Sequence, residues 1–323
     1  MTRPLYDKPR EYFAKLIQEY SCKPIRRMAL EMNIPKSTIE DHLAYAKREL
    51  GMFVPDKVKS ATPQNHGRID REIVNGMVIA GSDAHYWPGP PSTAHRAFVK
   101  LIRKFRPQLH AVVLNGDAMD LPRVSRHPPQ GWTRMPESHE ELEVVEERLQ
   151  EIEGAAGRNP ELLWPAGNHD IRFEMYLAAN APEVANIKGT RLRDHFPKWK
   201  PCWGVMFNNH HGGLFIKHRF KGGMHAPHNN ALWTGRSMAT GHLHSQKVQP
   251  ITDMNGTRWG IDMGCLANPW GPQFEYLEGN PRQWRSGFAV FTFQDGNLLP
   301  PELVTVMDEE EGAVSFRGEI LKV

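Results

Sequence analysis

Five apolar runs in this chain end the same way, and that repetition constrains the fold more than any bulk property. "GMVIAG" leads into Asp83 and His85. "LHAVVL" leads into Gly116, Asp117 and Asp120, and "ELLWPA" into Gly167, Asn168, His169 and Asp170. "GLFIK" leads into His218, and "SMAT" into Gly241, His242 and His244. Asn, Asp and His are poor strand residues and costly to bury alone. Each run therefore reads as a strand whose polar end serves a shared site.

Between the first three runs lie segments with helical periodicity: Ala97, Phe98, Leu101, Ile102 and Phe105 in one, and residues 138–154 in the other. Strand–helix alternation predicts an α/β layered domain with parallel strands, and ligands bind beyond the carboxyl ends of such strands. Further on, "CWGVMFNN", "GGLFIKH", "RWGIDMG" and "SGFAVFTF" read as short strands without long helices between them, which predicts a second sheet packed on the first.

The amino-terminal part differs. Phe13, Leu16, Ile17 and Tyr20, then Ile25, Met28 and Ala29, then Ile39, Leu43 and Ala46 give three helical stripes, with Pro24 in a first turn, Ser37 and Glu40 as a capping box and Gly51 as a stop. Two short helices joined by "NIPKS" resemble a helix-turn-helix unit, whose second helix would offer Lys36, Ser37, Thr38, His42, Lys47 and Arg48 to DNA. The formal net charge is only +3, but the excess of basic residues lies in the first sixty. The competing reading is a helical bundle used for packing. The expected organisation is a helical domain over 1–55, a linker over 56–71 and an α/β domain over 72–323.

Three cysteines without CxxC spacing, no apolar leader and no apolar run of membrane-spanning length set the expectation of a cytoplasmic protein with no disulfide framework and no membrane partner. The oligomeric state is left open.

The polar ends supply carboxylates, an amide and imidazoles, with no thiolate. That donor set suits manganese, and admits iron, zinc, nickel or magnesium. It exceeds one tetrahedral site and fits two metals sharing a carboxylate.

The ordered set D-x-H, G-D-x-x-D, G-N-H-D, H, G-H-x-H over residues 72–270 resembles the calcineurin-like metallophosphoesterase superfamily. The resemblance implies a four-layered α/β/β/α sandwich that hydrolyses phosphoesters with two divalent metals. It implies that Asp83, His85, Asp117 and His244 bind one metal, and Asp117, Asn168, His218 and His242 the other. It also implies that His169 is the general acid, with Asp170 orienting it. One departure is Arg219, where the family has glycine after the histidine; His211, followed by glycine, is the substitute for His218.

The loop "LPRVSRHPPQGWTRMP" at 121–136 offers Arg126, His127 and Trp132 at the rim, and Arg172 follows the G-N-H-D motif. The leading expectation is a phosphodiesterase or nuclease acting on DNA. The alternatives are a phosphatase or phosphodiesterase for small nucleotides, and a DNA-binding regulatory protein with a structural metal domain.

Overall fold

The structure is a computed structural model that describes residues 8–22, 25–52, 54, 67–126, 134–185, 187–210, 212–280 and 282–323, without the side chains of 21, 22 and 26. Pro24, His127, Trp132, His211 and the linker residues 56–66 lie outside the described residues. The chain divides into two compact units, Met1–Gln64 and Asn65–Val323.

The first unit contains helices α1 (Arg10–Cys22), α2 (Ile25–Met32) and α3 (Lys36–Arg48). Leu16, Met28, Ile39 and Leu43 form its core, with Phe13 and Ala46 also buried. Each large apolar side chain contributes about 1.5–3 kcal/mol on burial, enough to set the order of three short helices. Two expectations need correction here. Ser37 does not cap α3: Pro35 stands at that position, and Glu40 pairs with Lys36 at 3.1 Å instead. His42 is half-buried rather than free for a groove, because its Nδ1 is hydrogen-bonded to the Tyr12 hydroxyl at 2.9 Å.

The second unit holds two sheets. Its strands and helices are β1 (Arg68–Arg71), β2 (Gly76–Gly81), α4 (Thr93–Phe105), β3 (Leu109–Leu114), α5 (Ser138–Ala156), β4 (Glu161–Pro165), α6 (Arg172–Asn180), α7 (Leu192–His195), β5 (Lys200–Cys202), β6 (Gly204–Phe207), β7 (Leu214–Ile216), α8 (Ala226–Thr234), β8 (Ser237–Thr240), β9 (Lys247–Asp253), β10 (Gly256–Asp262), β11 (Gly287–Gln294), β12 (Asn297–Leu298), β13 (Glu302–Asp308), β14 (Ala313–Phe316) and β15 (Glu319–Lys322). One sheet runs β15-β14-β13-β11-β2-β3-β4-β5, with β12 beside β11; the other runs β1-β6-β7-β8-β10-β9. β2 to β5 are parallel, as the alternation predicts. "SGFAVFTF" is not in the second sheet: β11 pairs antiparallel with β2, so the first sheet is mixed. Nor does the linker reach residue 71, since Arg68–Arg71 pair with β6 as an edge strand.

Alternation along the strands places the layers. Ile79, Val112 and Val290 face α4 and α5, against Phe98, Leu101, Leu149 and Ile152. Their neighbours Val78, Val113 and Phe291 face the other sheet, against Phe207, Ile216, Ala239 and Ile261. α8 packs on β8, β9 and β10. The result is the expected α/β/β/α order. Ser92 caps α4 through His95 N–H, and Glu137 with Glu140 forms a capping box at α5.

Candidate metal centre

The ladder between β2 and β3 continues past the strands into their polar ends. Asp83 N–H donates to Gly116 O (2.9 Å), His85 N–H to Asp117 O (3.0 Å) and Tyr86 N–H to Ala118 O (2.9 Å). In the second sheet, Gly241 N–H donates to His218 O (2.9 Å) beyond β7 and β8, and across the sheets His242 N–H donates to the Asp83 carboxylate (2.8 Å). The two strand ends thus meet, and His244 lies against Asp83, 161 residues away in the chain.

The segments are not extended there. Asp83, His85, Asp117, His242 and His244 all have positive φ, between 40° and 69°. Non-glycine residues are rare in that region, and each costs roughly 1–3 kcal/mol unless its surroundings impose it. Asp83 and His85 therefore converge through left-handed turns rather than through strand alternation. Glycine is needed where these loops touch. A Cβ on Gly167 would lie 2.0 Å from Asp117 Oδ1, and one on Gly241 1.8 Å from Ser82 Oγ.

Potential metal-ligating atoms cluster in three groups among the described residues: Asp83, His85 and His244; Asp117, His218 and His242; and His85, Asp120 and His169. Asp83 Oδ1 lies 3.1 Å from His244 Nε2 and 4.0 Å from His85 Nε2. Asp117 Oδ2 lies 3.1 Å from His218 Nε2. His218 Nδ1 sits 2.7 Å from Asn115 O, so that nitrogen carries the proton and Nε2 turns its lone pair to Asp117. Two electron-rich atoms so close require a proton or a cation between them. His85 Nε2, Asn168 Oδ1 and His218 Nε2 are buried without a hydrogen-bond partner. Such orphaned acceptors are rare in folded proteins, and together they fit a pair of divalent cations.

Charge points the same way. Six carboxylates are buried among the described residues: Asp83, Asp117, Asp120, Glu141, Asp170 and Asp262. Burial alone would depress His85 and His218, but Asp120 with Asp117 and Asp83 drives His85 up to about 9, and Asp117 with Asp83 drives His218 up to about 10. Burial would raise Asp117, yet the surrounding imidazoles hold it well below the usual range. Protons here play the part of cations. Cys202 and Cys265 are buried thiols that join none of these groups, and burial pushes Cys202 up to about 12.

His169 requires a correction. Asp170 does not orient it. The Asp170 carboxylate accepts from Asp117 N–H (3.0 Å), Ala118 N–H (2.9 Å), Gly167 N–H (2.8 Å) and Trp164 Nε1–H (2.9 Å), so it joins the two metal loops. Asp120 takes the orienting place, with Oδ1 2.5 Å from His169 Nδ1 and 3.2 Å from His85 Nδ1. Glu141 in turn accepts from the Asp120 and Leu121 N–H groups. Arg172 reaches the same spot: Nη1 donates to Asp120 O (2.6 Å) and Nη2 lies 3.1 Å from His169 Nε2.

The remaining candidates separate. Arg126 is exposed on the loop after a short 3-10 turn, and Arg123 is tied to Glu137 at 2.7 Å. The sequence reading missed Phe274 and Trp284, which wall the His85–His244 side: Trp284 lies 4.3 Å from the His244 ring and Phe274 5.2 Å from the His85 ring, centroid to centroid. No motif marks them. Asp120 was marked by its G-D-x-x-D spacing.

No helix of the described residues is long and apolar enough to cross a membrane. No family model matches the chain. It is similar to the Gene 54 protein of Mycobacterium phage L5, at 29% identity over 241 residues covering 66% of this chain and 86% of that protein. The Gene 54 protein of phage D29 is 29% identical over 175 residues, 49% of this chain and 65% of that one. Among solved structures, zinc-complexed Vps29 from Entamoeba histolytica aligns over 76% of this chain and 98% of its own, at 12% identity and TM-score 0.39. A dimetal phosphatase from Danio rerio aligns over 77% and 98%, at 10% identity and TM-score 0.33. Two facing sheets with helices outside them draw the D-x-H, G-D-x-x-D, G-N-H-D, H and G-H-x-H side chains together at one edge, the arrangement implied by the resemblance to the calcineurin-like metallophosphoesterases.

Proposed function

We propose that this chain is a dinuclear-metal-dependent phosphoester hydrolase, and specifically a phosphodiesterase acting on DNA. The observation that carries the hydrolase reading is the set of buried, unpartnered ligand atoms of His85, Asn168 and His218 gathered with Asp83 and Asp117. Asp83, His85, Asp117 and His244 would hold one cation, and Asp117, Asn168, His218 and His242 the other, manganese first among the candidates. When bound, the cations supply Lewis-acid polarisation of the phosphoryl group and counter-charge for an in-line displacement.

The chain's own residues do the rest. In the arrangement present, His169 Nδ1 holds a proton toward Asp120 and Nε2 faces Arg172, a tautomer assigned from those contacts. A phosphate offers the guanidinium a bidentate, charged partner. Its arrival draws Arg172 off the imidazole; the freed Nε2 takes a proton from solvent, Asp120 stabilises the imidazolium so formed, and Nε2 passes that proton to the leaving oxygen, returning the ring to its neutral Nδ1–H form. DNA as the substrate is supported by the basic surplus of the amino-terminal unit and by Lys36, Ser37, Thr38, Lys47 and Arg48 on α3, of which Lys36, Ser37, Lys47 and Arg48 are exposed.

The test is hydrolysis of bis-p-nitrophenyl phosphate by manganese-loaded protein, followed by a panel of DNA, RNA, cyclic nucleotides and phosphomonoesters. Turnover of the model ester and of DNA is expected. Removal of residues 1–60 should weaken DNA cleavage and spare the model ester. No turnover with any divalent metal would refute the enzyme reading, and turnover of phosphomonoesters alone would refute the DNA reading.

A further inference from the structure

We infer that the cleft beside the second metal position is a subsite for one unpaired polynucleotide strand, with phosphates on its cations and a base on Phe220. The inference rests on the phosphodiesterase reading and narrows its substrate.

The cleft has a volume of about 630 Å³ and is lined by His218 and His242, so its occupant abuts the reacting centre. The segment around His218 forms much of its wall: Lys217, Arg219, Phe220 and Lys221, with Trp203 also lining it. Its lining carries three cationic side chains and no carboxylate. Among the described residues no carboxylate pairs with Lys217 or Arg219. Unneutralised cations converging on a cleft without acids call for an anionic occupant larger than one phosphate.

The wall is built rather than loose. The buried amide of Asn230, on α8, holds Lys221 on both sides: Oδ1 accepts from Lys221 N–H at 3.1 Å and Nδ2 faces Lys221 O at 3.4 Å. Lys221 Nζ lies over the exposed Trp233 ring, 3.1 Å from its centroid. Between the two cations Arg219 and Lys221 stands Phe220, a residue 46% exposed. Cation, ring, cation in sequence is the pattern that grips a strand by its backbone while stacking a base. A base offers its face to such a ring only when unpaired and unstacked, because a duplex covers both faces. The departure from glycine at Arg219 gains a role in this light, since it adds a cation to that wall.

The test uses the full manganese-loaded chain with a labelled single-stranded DNA, its duplex and bis-p-nitrophenyl phosphate. Phe220→Ala should lower kcat/KM for single-stranded DNA by about 5- to 150-fold, the range for losing one stacked base. The loss on duplex and on the small ester should be several-fold smaller. Phe220→Trp should restore cleavage. Lys221→Ala should shallow the salt dependence of single-strand binding by about 0.7 in log–log slope. Equal losses on all three substrates, or undiminished single-strand cleavage by Phe220→Ala, would overturn the inference. If neither ester nor DNA is cleaved, the phosphodiesterase reading falls. Fluorescence anisotropy of single-stranded DNA on the wild type and Phe220→Ala then decides the subsite by itself: weakened binding supports it, unchanged binding overturns it.

Discussion

Replacing Asp170 probes how the site is held rather than what it does. Its carboxylate satisfies four buried donors, three through Oδ2 and one through Oδ1. Asp170→Ala strands all four, and each unsatisfied buried donor costs about 1–3 kcal/mol. The sum rivals the whole stability of a typical domain, about 5–15 kcal/mol. Asp170→Asn differs. Its amide oxygen can stand where Oδ2 stands and keep Asp117 N–H, Gly167 N–H and Trp164 Nε1–H. Its NH₂ then opposes only Ala118 N–H, a loss of about 1–3 kcal/mol. Relief of charge offsets part of it, because burial and Asp117 both raise the Asp170 pKa. Urea unfolding of metal-free protein, followed by tryptophan fluorescence, separates the two variants. Alanine should lose at least 4 kcal/mol or fail to fold, and asparagine should remain folded with weakened metal affinity. Equal losses from the two substitutions, or an alanine variant within about 1 kcal/mol of the parent, would refute the brace.

Asp120→Asn should lower kcat on bis-p-nitrophenyl phosphate by about 10²-fold or more, the scale of general-acid work, while metal analysis still finds two ions per chain. Gly241→Ala should empty the first metal position, since its Cβ would meet Ser82 Oγ at 1.8 Å and Asp83 Oδ2 at 2.3 Å; elemental analysis would read one ion instead of two. Metal-free protein should lose stability as pH rises. His85 and His218 are raised to about 9 and about 10, so their contribution is full below about 6.5, the unfolded value, and is lost as pH climbs through 9–10. Thermal melts in chelator across that window check the sign, and metal-loaded protein should show no such fall, because its imidazoles are already deprotonated.

The layers of this fold were legible because period-2 and period-3.6 patterns report directly which face is buried. β2, β3, β4, α4 and α5 fall where those patterns put them. The partner of "SGFAVFTF" was not legible: a strand buried on both faces suits either sheet, and the structure pairs it with β2. The nearness of the metal-site side chains could be anticipated from their motifs, but the turns that bring them together could not. Nothing in "SDAH" states that Asp83 and His85 adopt left-handed backbone. Asp170 misled because adjacency in sequence was read as contact, whereas the turn sends neighbouring side chains to different loops. His42 misled for a related reason: a polar residue on a short helix was taken to face outward, and Tyr12 claims it.

Left-handed backbone at Asp83, His85, Asp117, His242 and His244 sets two demands in opposition. Glycine would relax every one of these positions, and none of them can be glycine without surrendering a ligand. Inactive glycine variants of this edge should therefore melt higher than their alanine counterparts, the reverse of the ranking in a helix. Random mutation followed by selection for thermal tolerance alone would erode this rim first.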